Sequence, residues 1–226
     1  MPVLENIEAC VFDAYGTLFD VHSSVARHRD RAGSRAEQMS RLWRQKQLEY
    51  SWLRSLMGLH ADFWQVTGEA LDYALDAFDL REPQLRADLM EAYRTLDCYP
   101  EVPDILQRIK ARGLQTAVLS NGSPTMLSAA IEAGGIGEWI DAVYSVETSG
   151  VYKPAPMVYQ LAVDGLEVPA AHIAFQSANG WDIAGAAAFG YQAVWINRYA
   201  QNRERLPYGP VRELNDLGGL PALLFD

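Results

Sequence analysis

A short apolar run that stops at a carboxylate sets the strongest limit on what this chain can fold into. Ile7 to Phe12 is mostly apolar, with Val11 and Phe12 adjacent, as expected of a strand buried on both faces. Asp13 follows at once, and Gly16 then permits a turn. In an open α/β sheet, ligands bind beyond the carboxyl ends of the strands, so Asp13 stands where chemistry is usually done. The blander alternative is an Asp that merely begins a loop. Three more stretches weigh against it: Leu119-Ser120-Asn121-Gly122, Tyr152-Lys153-Pro154 and Ser177-Ala178-Asn179-Gly180-Trp181-Asp182. Each follows its own predicted strand, so four polar strand ends converge on one edge of a sheet.

Between the first strand and the rest, the pattern turns helical. From about Asp20 to Asp97 no strand is predicted. Ser34, with Glu37 three residues later, has the capping-box spacing. Met39, Leu42 and Trp43, then Tyr50, Leu53 and Met57, repeat the helical period, and Gly58 fits the helix end. Further helices are predicted from Thr67 to Phe78 and from Leu85 to Leu96. The core resumes near Tyr99. Pro103 suits the first turn of a helix that ends at Gly113. Strands are then predicted at Leu114–Leu119, Asp141–Val146, His172–Ser177 and Tyr191–Ile196. Helices are predicted after Ser123-Pro124, at Pro156–Leu166 and at Trp181–Phe189. Arg198 to Tyr208 reads as a polar surface loop and Leu217 to Phe225 as a short amphipathic closure. Strands alternating with helices at these lengths imply a doubly wound parallel sheet, α/β in class. An all-helical insertion, residues 20–97, would cap a core made of residues 1–19 and 98–226.

An Asp can act as a nucleophile if it is ionised and partly stripped of water. Burial raises a carboxyl pKa, whereas a cation within about 4–6 Å lowers it by roughly 1–3 units. Lys153 is the candidate cation, its alternative being a solvated surface lysine. Thr17 and Ser177 can hydrogen-bond the carboxylate and fix its rotamer, although hydroxyls at strand ends are often only local caps.

Asp13-Ala14-Tyr15-Gly16-Thr17, Ser120-Asn121, Lys153-Pro154 and the Asn179 to Asp182 segment resemble the four motifs of the haloacid dehalogenase (HAD) superfamily. The match is closest to its (S)-2-haloacid dehalogenases of type II, and Leu42-Trp43-Arg44-Gln45-Lys46-Gln47-Leu48-Glu49-Tyr50 resembles those enzymes specifically. The resemblance runs nearly the whole chain and implies a Rossmann-like core under a helical cap. It assigns a halide cradle to Arg44 and Asn121. It places the substrate carboxylate on Ser120 and the backbone N–H groups of Ala14 and Tyr15, since a nest of donors suits an anion. Tyr15, Leu48, Phe63 and Trp181 would wall the alkyl part, though each taken alone is more often core. Asn179 and Asp182 would position the hydrolytic water, and Tyr159 matches a family tyrosine near the lysine. There are departures: Ala178 stands for a common serine, Gln176 for an apolar strand residue, and Ala155-Pro156 for a polar pair.

Superfamily phosphatases carry a second Asp two residues after the nucleophile to protonate an alkoxide. Here that position is Tyr15. They also place an extra acidic residue in the fourth motif for Mg²⁺, whereas this run offers Asp182 alone. Mg²⁺ is usually held by carboxylates plus substrate phosphate oxygens, so no metal and no other cofactor is expected. A halide is a weak base and leaves without a proton. Two rivals stay open at this point: a Mg²⁺-dependent phosphatase on the same fold, and a catalytically silent small-molecule-binding protein.

At 226 residues the chain can bury one good core and has room for a small second unit. A net charge of −10 disfavours nucleic acid or anionic membrane as partner, and obliges an anionic substrate to find a local positive site. The two cysteines, Cys10 and Cys98, suggest no disulfide framework. The four histidines show no metal-ligand spacing, and there is no Gly-x-Ser-x-Gly elbow or Walker-type loop. The first residues lack a basic or apolar leader pattern, and no run is long enough to span a bilayer. A cytoplasmic enzyme is the expectation, with a homodimer contact on the aromatic helix from Trp43 to Trp52.

Overall fold

The computed structural model describes residues 4–225. Its first strand, β1 (Ala9–Phe12), is buried along its whole length. A two-residue strand β2 (Phe19–Asp20) leads into five helices: α1 (Ser23–Ala26), α2 (Arg29–Ala32), α3 (Ala36–Met57), α4 (Phe63–Ala77) and α5 (Pro83–Arg94). The chain returns through β3 (Asp97–Cys98), antiparallel to β2. It then alternates: α6 (Val102–Ala111), β4 (Gln115–Ser120), α7 (Pro124–Ala133), β5 (Ala142–Ser145), α8 (Pro156–Leu166), β6 (Ile173–Ser177), α9 (Gly180–Phe189) and β7 (Gln192–Ile196). An edge strand β8 (Arg212–Leu214) and α10 (Leu220–Phe225) close it.

The main sheet is parallel, in the order β5-β4-β1-β6-β7-β8. From β1 the chain winds outward to β4 and β5, then crosses back to β6 on the other side of β1. The winding therefore reverses at β1, which is where an open sheet leaves a crevice at its carboxyl edge. The register fixes what lines that crevice. Phe12 pairs with Val118 on one side and Gln176 on the other. Asp13 thus emerges level with the ends of both neighbours, just before Ser120 and beside Ser177.

The helical insertion follows its sequence pattern with corrections at its edges. Met39 and Trp43 are buried, and Gly58 closes α3 in the left-handed region at φ 67°. Ser34 does not cap α3. The helix begins at Ala36 behind Arg35, without a side-chain cap, because Ser34 belongs to the turn in which the Ala36 amide bonds the Gly33 carbonyl. Asp62 caps α4 instead, accepting from the Gln65 amide at 2.8 Å. The strands β2 and β3 are too short to show alternation. The strand β8 is Arg-Glu-Leu, a polar edge with no apolar signature. Trp43 cannot offer a dimer contact, since its ring is buried and its indole N–H donates to the Thr67 carbonyl at 2.9 Å. The exposed apolar residues at that end are Leu53, Leu56, Met57 and Leu59.

Gln176 is the one polar side chain in the central strands with no evident task. It is fully buried beside β1, its backbone carbonyl accepts the Asp13 amide at 2.9 Å, and neither atom of its side-chain amide meets a protein partner. Leaving such a group unsatisfied costs about 1–3 kcal/mol. Gln176→Met keeps the length and removes the polar atoms, so urea unfolding should show a gain of about 1 kcal/mol or more. An unchanged or lower stability would show that the amide is satisfied internally.

Candidate active site

Four side-chain donors converge, at the end of β1, on the Asp13 carboxylate, which is only 5% exposed. One oxygen, Oδ1, accepts from Lys153 Nζ at 3.2 Å. The other, Oδ2, accepts from Asn179 Nδ2 at 2.8 Å, Thr17 Oγ1 at 3.2 Å and Ser177 Oγ at 3.4 Å. The direction of the two hydroxyl protons is set by their other partners. Thr17 Oγ1 accepts the Ala178 amide at 2.8 Å, and Ser177 Oγ accepts the Asn179 amide at 3.1 Å. With those lone pairs occupied, both hydroxyls turn their protons to Oδ2. Ala178 therefore contributes through its backbone, so the missing serine hydroxyl does not disturb this bond.

Lys153 is buried between two carboxylates. Its ammonium lies 2.8 Å from Asp182 Oδ2 as well as 3.2 Å from Asp13, and 4.9 Å from the centre of the Phe175 ring. Burial works against the charged lysine, but Asp13 and Asp182 outweigh it and hold its pKa above the ordinary value. Asp182 is displaced upward, chiefly by burial and also by the charge of Asp13, while Lys153 pulls the other way. Tyr159 completes the set: its hydroxyl donates to Asp182 Oδ1 at 2.8 Å, and burial pushes its own pKa well up, so it remains a donor.

Arg44 reaches this cluster from α3. Its Nη2 donates to the Tyr15 carbonyl at 3.3 Å and contacts Asn179 Oδ1 at 3.5 Å. The helix thus aims its guanidinium down at the strand ends and away from bulk solvent. The Ala14 and Tyr15 amides donate to no protein acceptor among the described residues, so two adjacent N–H groups are available beside Asp13. Ser120 Oγ accepts the Gly122 amide at 3.1 Å, which leaves its proton free to donate elsewhere. Asn121 Oδ1 accepts the Lys153 amide at 3.0 Å and so turns its NH₂ the other way. Gly122 is required here: a Cβ would come 2.7 Å from the Tyr15 ring.

The apolar wall is less uniform than the polar cluster. Phe63 is buried with its ring 6.0 Å from that of Tyr15. Leu48 is half-buried one turn beyond Arg44, and half-buried Trp181 packs edge-on against Trp52 at 5.2 Å. Neither hydrogen-bonds the cluster. Two residues not singled out from sequence complete the roof: Tyr93, stacked on Tyr15 at 5.6 Å, and Gln47, which bonds both Arg44 and Tyr93. Tyr93 reads in sequence as an ordinary apolar-face position of α5. Gln47 carries only the signal that a polar residue interrupts the buried stripe of α3.

The donor set does not suit Mg²⁺. The two carboxylates that would have to hold it are already bridged by an ammonium, and no third His, Cys, Asp or Glu gathers with them among the described residues.

A family model described as haloacid dehalogenase-like hydrolase matches residues 7–190. The chain is similar to (S)-2-haloacid dehalogenase 1 of Pseudomonas sp. (strain CBS-3), 49% identical over 98% of both chains. It is also similar to (S)-2-haloacid dehalogenase 4A of Burkholderia cepacia, 44% identical over 98% of this chain and 96% of the relative. Among solved structures, it resembles L-2-haloacid dehalogenase from Xanthobacter autotrophicus with chloropropionic acid covalently bound. That match has a TM-score of 0.90 and 38% identity, and covers 96% of this chain and 98% of the other.

Lys153 is the group whose removal tests the electrostatics. Lys153→Met would leave two buried carboxylates facing one another, and breaking a buried pair in this way costs about 3–5 kcal/mol. Asp182→Asn in the same background should recover part of that loss. Because the folded-state pKa of Lys153 is raised, its contribution is complete below about pH 10.4, the unfolded lysine value, and fades as pH rises through the folded one. The stability gap between wild type and Lys153→Met, followed by urea unfolding, should therefore be flat near neutrality and shrink above about pH 10.4. A gap that is small at neutral pH would contradict the assignment.

Proposed function

The chain belongs to the haloacid dehalogenase-like hydrolases and, within them, to the (S)-2-haloacid dehalogenases. On that premise we propose that it hydrolyses the carbon–halogen bond of short (S)-2-haloalkanoic acids, giving (R)-2-hydroxyalkanoic acids, with Asp13 as the nucleophile. The observation that carries this reading is the unequal treatment of the two Asp13 oxygens. Oδ2 is held by three donors, whereas Oδ1 has one contact, to the Lys153 ammonium at 3.2 Å. The less encumbered Oδ1 is the better nucleophile.

In the first step Oδ1 forms a bond to C2 of the substrate, and the halide departs with the carbon–halogen electron pair. Arg44 and the Asn121 NH₂ receive that developing charge. The substrate carboxylate rests on Ser120 and the free Ala14 and Tyr15 amides, so C2 is presented in line, with Tyr15, Leu48, Phe63 and Trp181 around the alkyl part. In the second step water attacks the Asp13 carbonyl carbon and loses its proton to Asp182, whose raised pKa suits a base. The negative charge then falls on Oδ2, where Thr17, Ser177 and Asn179 already form an oxyanion hole. Collapse breaks the bond from the Asp13 carboxyl carbon to Oδ1, and the hydroxyacid leaves as its alkoxide, which takes the proton held on Asp182. The second water proton passes from the Asp13 carboxyl to solvent and restores its carboxylate. Tyr159 keeps Asp182 in place.

The rival phosphatase reading needs a general acid where Tyr15 stands and a metal where Lys153 stands. The inserted helices, residues 20–97, act as a cap over the remaining core. The protein is read as a cytoplasmic enzyme that needs no metal. It would self-associate through the exposed apolar end of α3 near Leu56, and nucleic acid and membrane are not its partners.

Chloride release and chiral analysis test the proposal. (S)-2-chloropropionate should yield chloride and (R)-lactate in equal amounts, unaffected by exhaustive chelation, while the (R)-enantiomer should be a far poorer substrate. Activity confined to phosphate esters and dependent on Mg²⁺ would refute it.

A further inference from the structure

Gln47 is buried inside the helical insertion, 1% exposed, and all of its hydrogen bonds point the same way along one chain. Its Oε1 accepts from Arg44 Nη1 at 2.6 Å and from the Tyr93 hydroxyl at 3.1 Å. Its Nε2 donates to Thr67 Oγ1 at 2.6 Å, and that hydroxyl passes its own proton to the Phe63 carbonyl, also at 2.6 Å. The orientation of the amide is forced. A guanidinium can only donate, and the Thr67 hydroxyl has already committed its proton, so oxygen must face Arg44 and nitrogen must face Thr67.

We propose that Gln47 is a positioning residue for Arg44, holding the guanidinium on the departing halide with a neutral acceptor that leaves its positive charge unspent. This rests on the reading of Arg44 as the halide cradle. A freely rotating arginine would spread its donors over several directions. Here one end of the fork is tied to Gln47 and another donor to the Tyr15 carbonyl, which fixes the plane. Uncharged oxygens dominate these contacts. A carboxylate at position 47 would reach the same atoms but neutralise the charge that the halide needs. The same amide also holds Tyr93 against Tyr15, with rings 5.6 Å apart, so the roof over the nucleophile and the cradle are set by one side chain.

The distinction between neutral and charged acceptor supplies the test. Single-turnover halide release from (S)-2-chloropropionate and (S)-2-bromopropionate is measured for wild type, Gln47→Glu, Gln47→Met and Arg44→Lys, with thermal unfolding of each. Gln47→Glu should keep the fold and slow halide release by about 10–100-fold, since it cancels a preorganised charge without moving it. Chloride, the poorer leaving group, should be slowed more than bromide. Arg44→Lys should show the same halogen-dependent loss, because a lysine lacks the planar fork. Gln47→Met, which removes the acceptor without adding charge, should share the chloride-weighted loss and carries the test if Gln47→Glu fails to fold. Wild-type release in both Gln47 variants, or an equal loss for both halogens, would overturn the role of Gln47 while Arg44→Lys still shows its own defect. Wild-type release in Arg44→Lys would instead remove the cradle, and the role of Gln47 with it.

Discussion

The Lys153 ammonium, 3.2 Å from Asp13 and 2.8 Å from Asp182, is the interaction on which the rest of the site depends. Two carboxylates buried this deeply repel each other strongly in a medium of low polarity. One ammonium between them still leaves a single negative excess, and Arg44, entering from α3, balances it. A site of zero net charge, lined by free N–H donors, can then accept an anionic acid despite a chain charge of −10. Three separate segments must meet for this to work. The end of β1 brings Asp13, the loop before α8 brings Lys153, and the first turn of α9 brings Asp182. Parallel pairing of β1 with β4 and β6 holds them in register.

The helical insertion is tied to the core along two sides. On one side it is joined to the core by the β2–β3 ribbon. On the other it is fastened by contacts that cross the cleft. Glu147 accepts the Phe63 amide at 3.1 Å and lies 3.0 Å from His60, while the Tyr152 amide donates to Ser55 at 3.0 Å. These are part-exposed polar bonds, cheap to exchange for water.

Much of this was legible in the sequence, for a definite reason. Asp13, Ser120, Lys153 and Asp182 each follow an apolar strand in a chain whose alternation enforces a parallel sheet, so their convergence follows from topology. Helix and strand cores were legible from periodicity, as for Pro156–Leu166, which α8 spans. The rest lacks a local signature. The two-residue ribbon is too short for alternation, and Ser34 looks like a cap until the turn geometry assigns it elsewhere. The aromatic helix from Trp43 to Trp52 suggests a surface contact, but composition does not reveal that the Trp43 ring points inward. Gln47 and Tyr93 acquire meaning only when α3, α4 and α5 pack together, since the hydrogen-bond partners of Gln47 lie 3 to 46 positions away. Gln176 remains without a structural account.

The central claim is that the carboxylate of Asp13 becomes covalently bonded to C2 of the substrate. A single turnover with enzyme in excess, run in H₂¹⁸O, tests it most directly. The ester route takes the product hydroxyl oxygen from Asp13 and replaces it from water. Mass spectrometry should therefore find ¹⁸O in the peptide that contains Asp13, and unlabelled 2-hydroxyacid. If Asp13 served only as a base for water attacking C2, the stereochemical outcome would be the same. The peptide would then stay unlabelled while the hydroxyacid carried ¹⁸O, and that result would contradict the account.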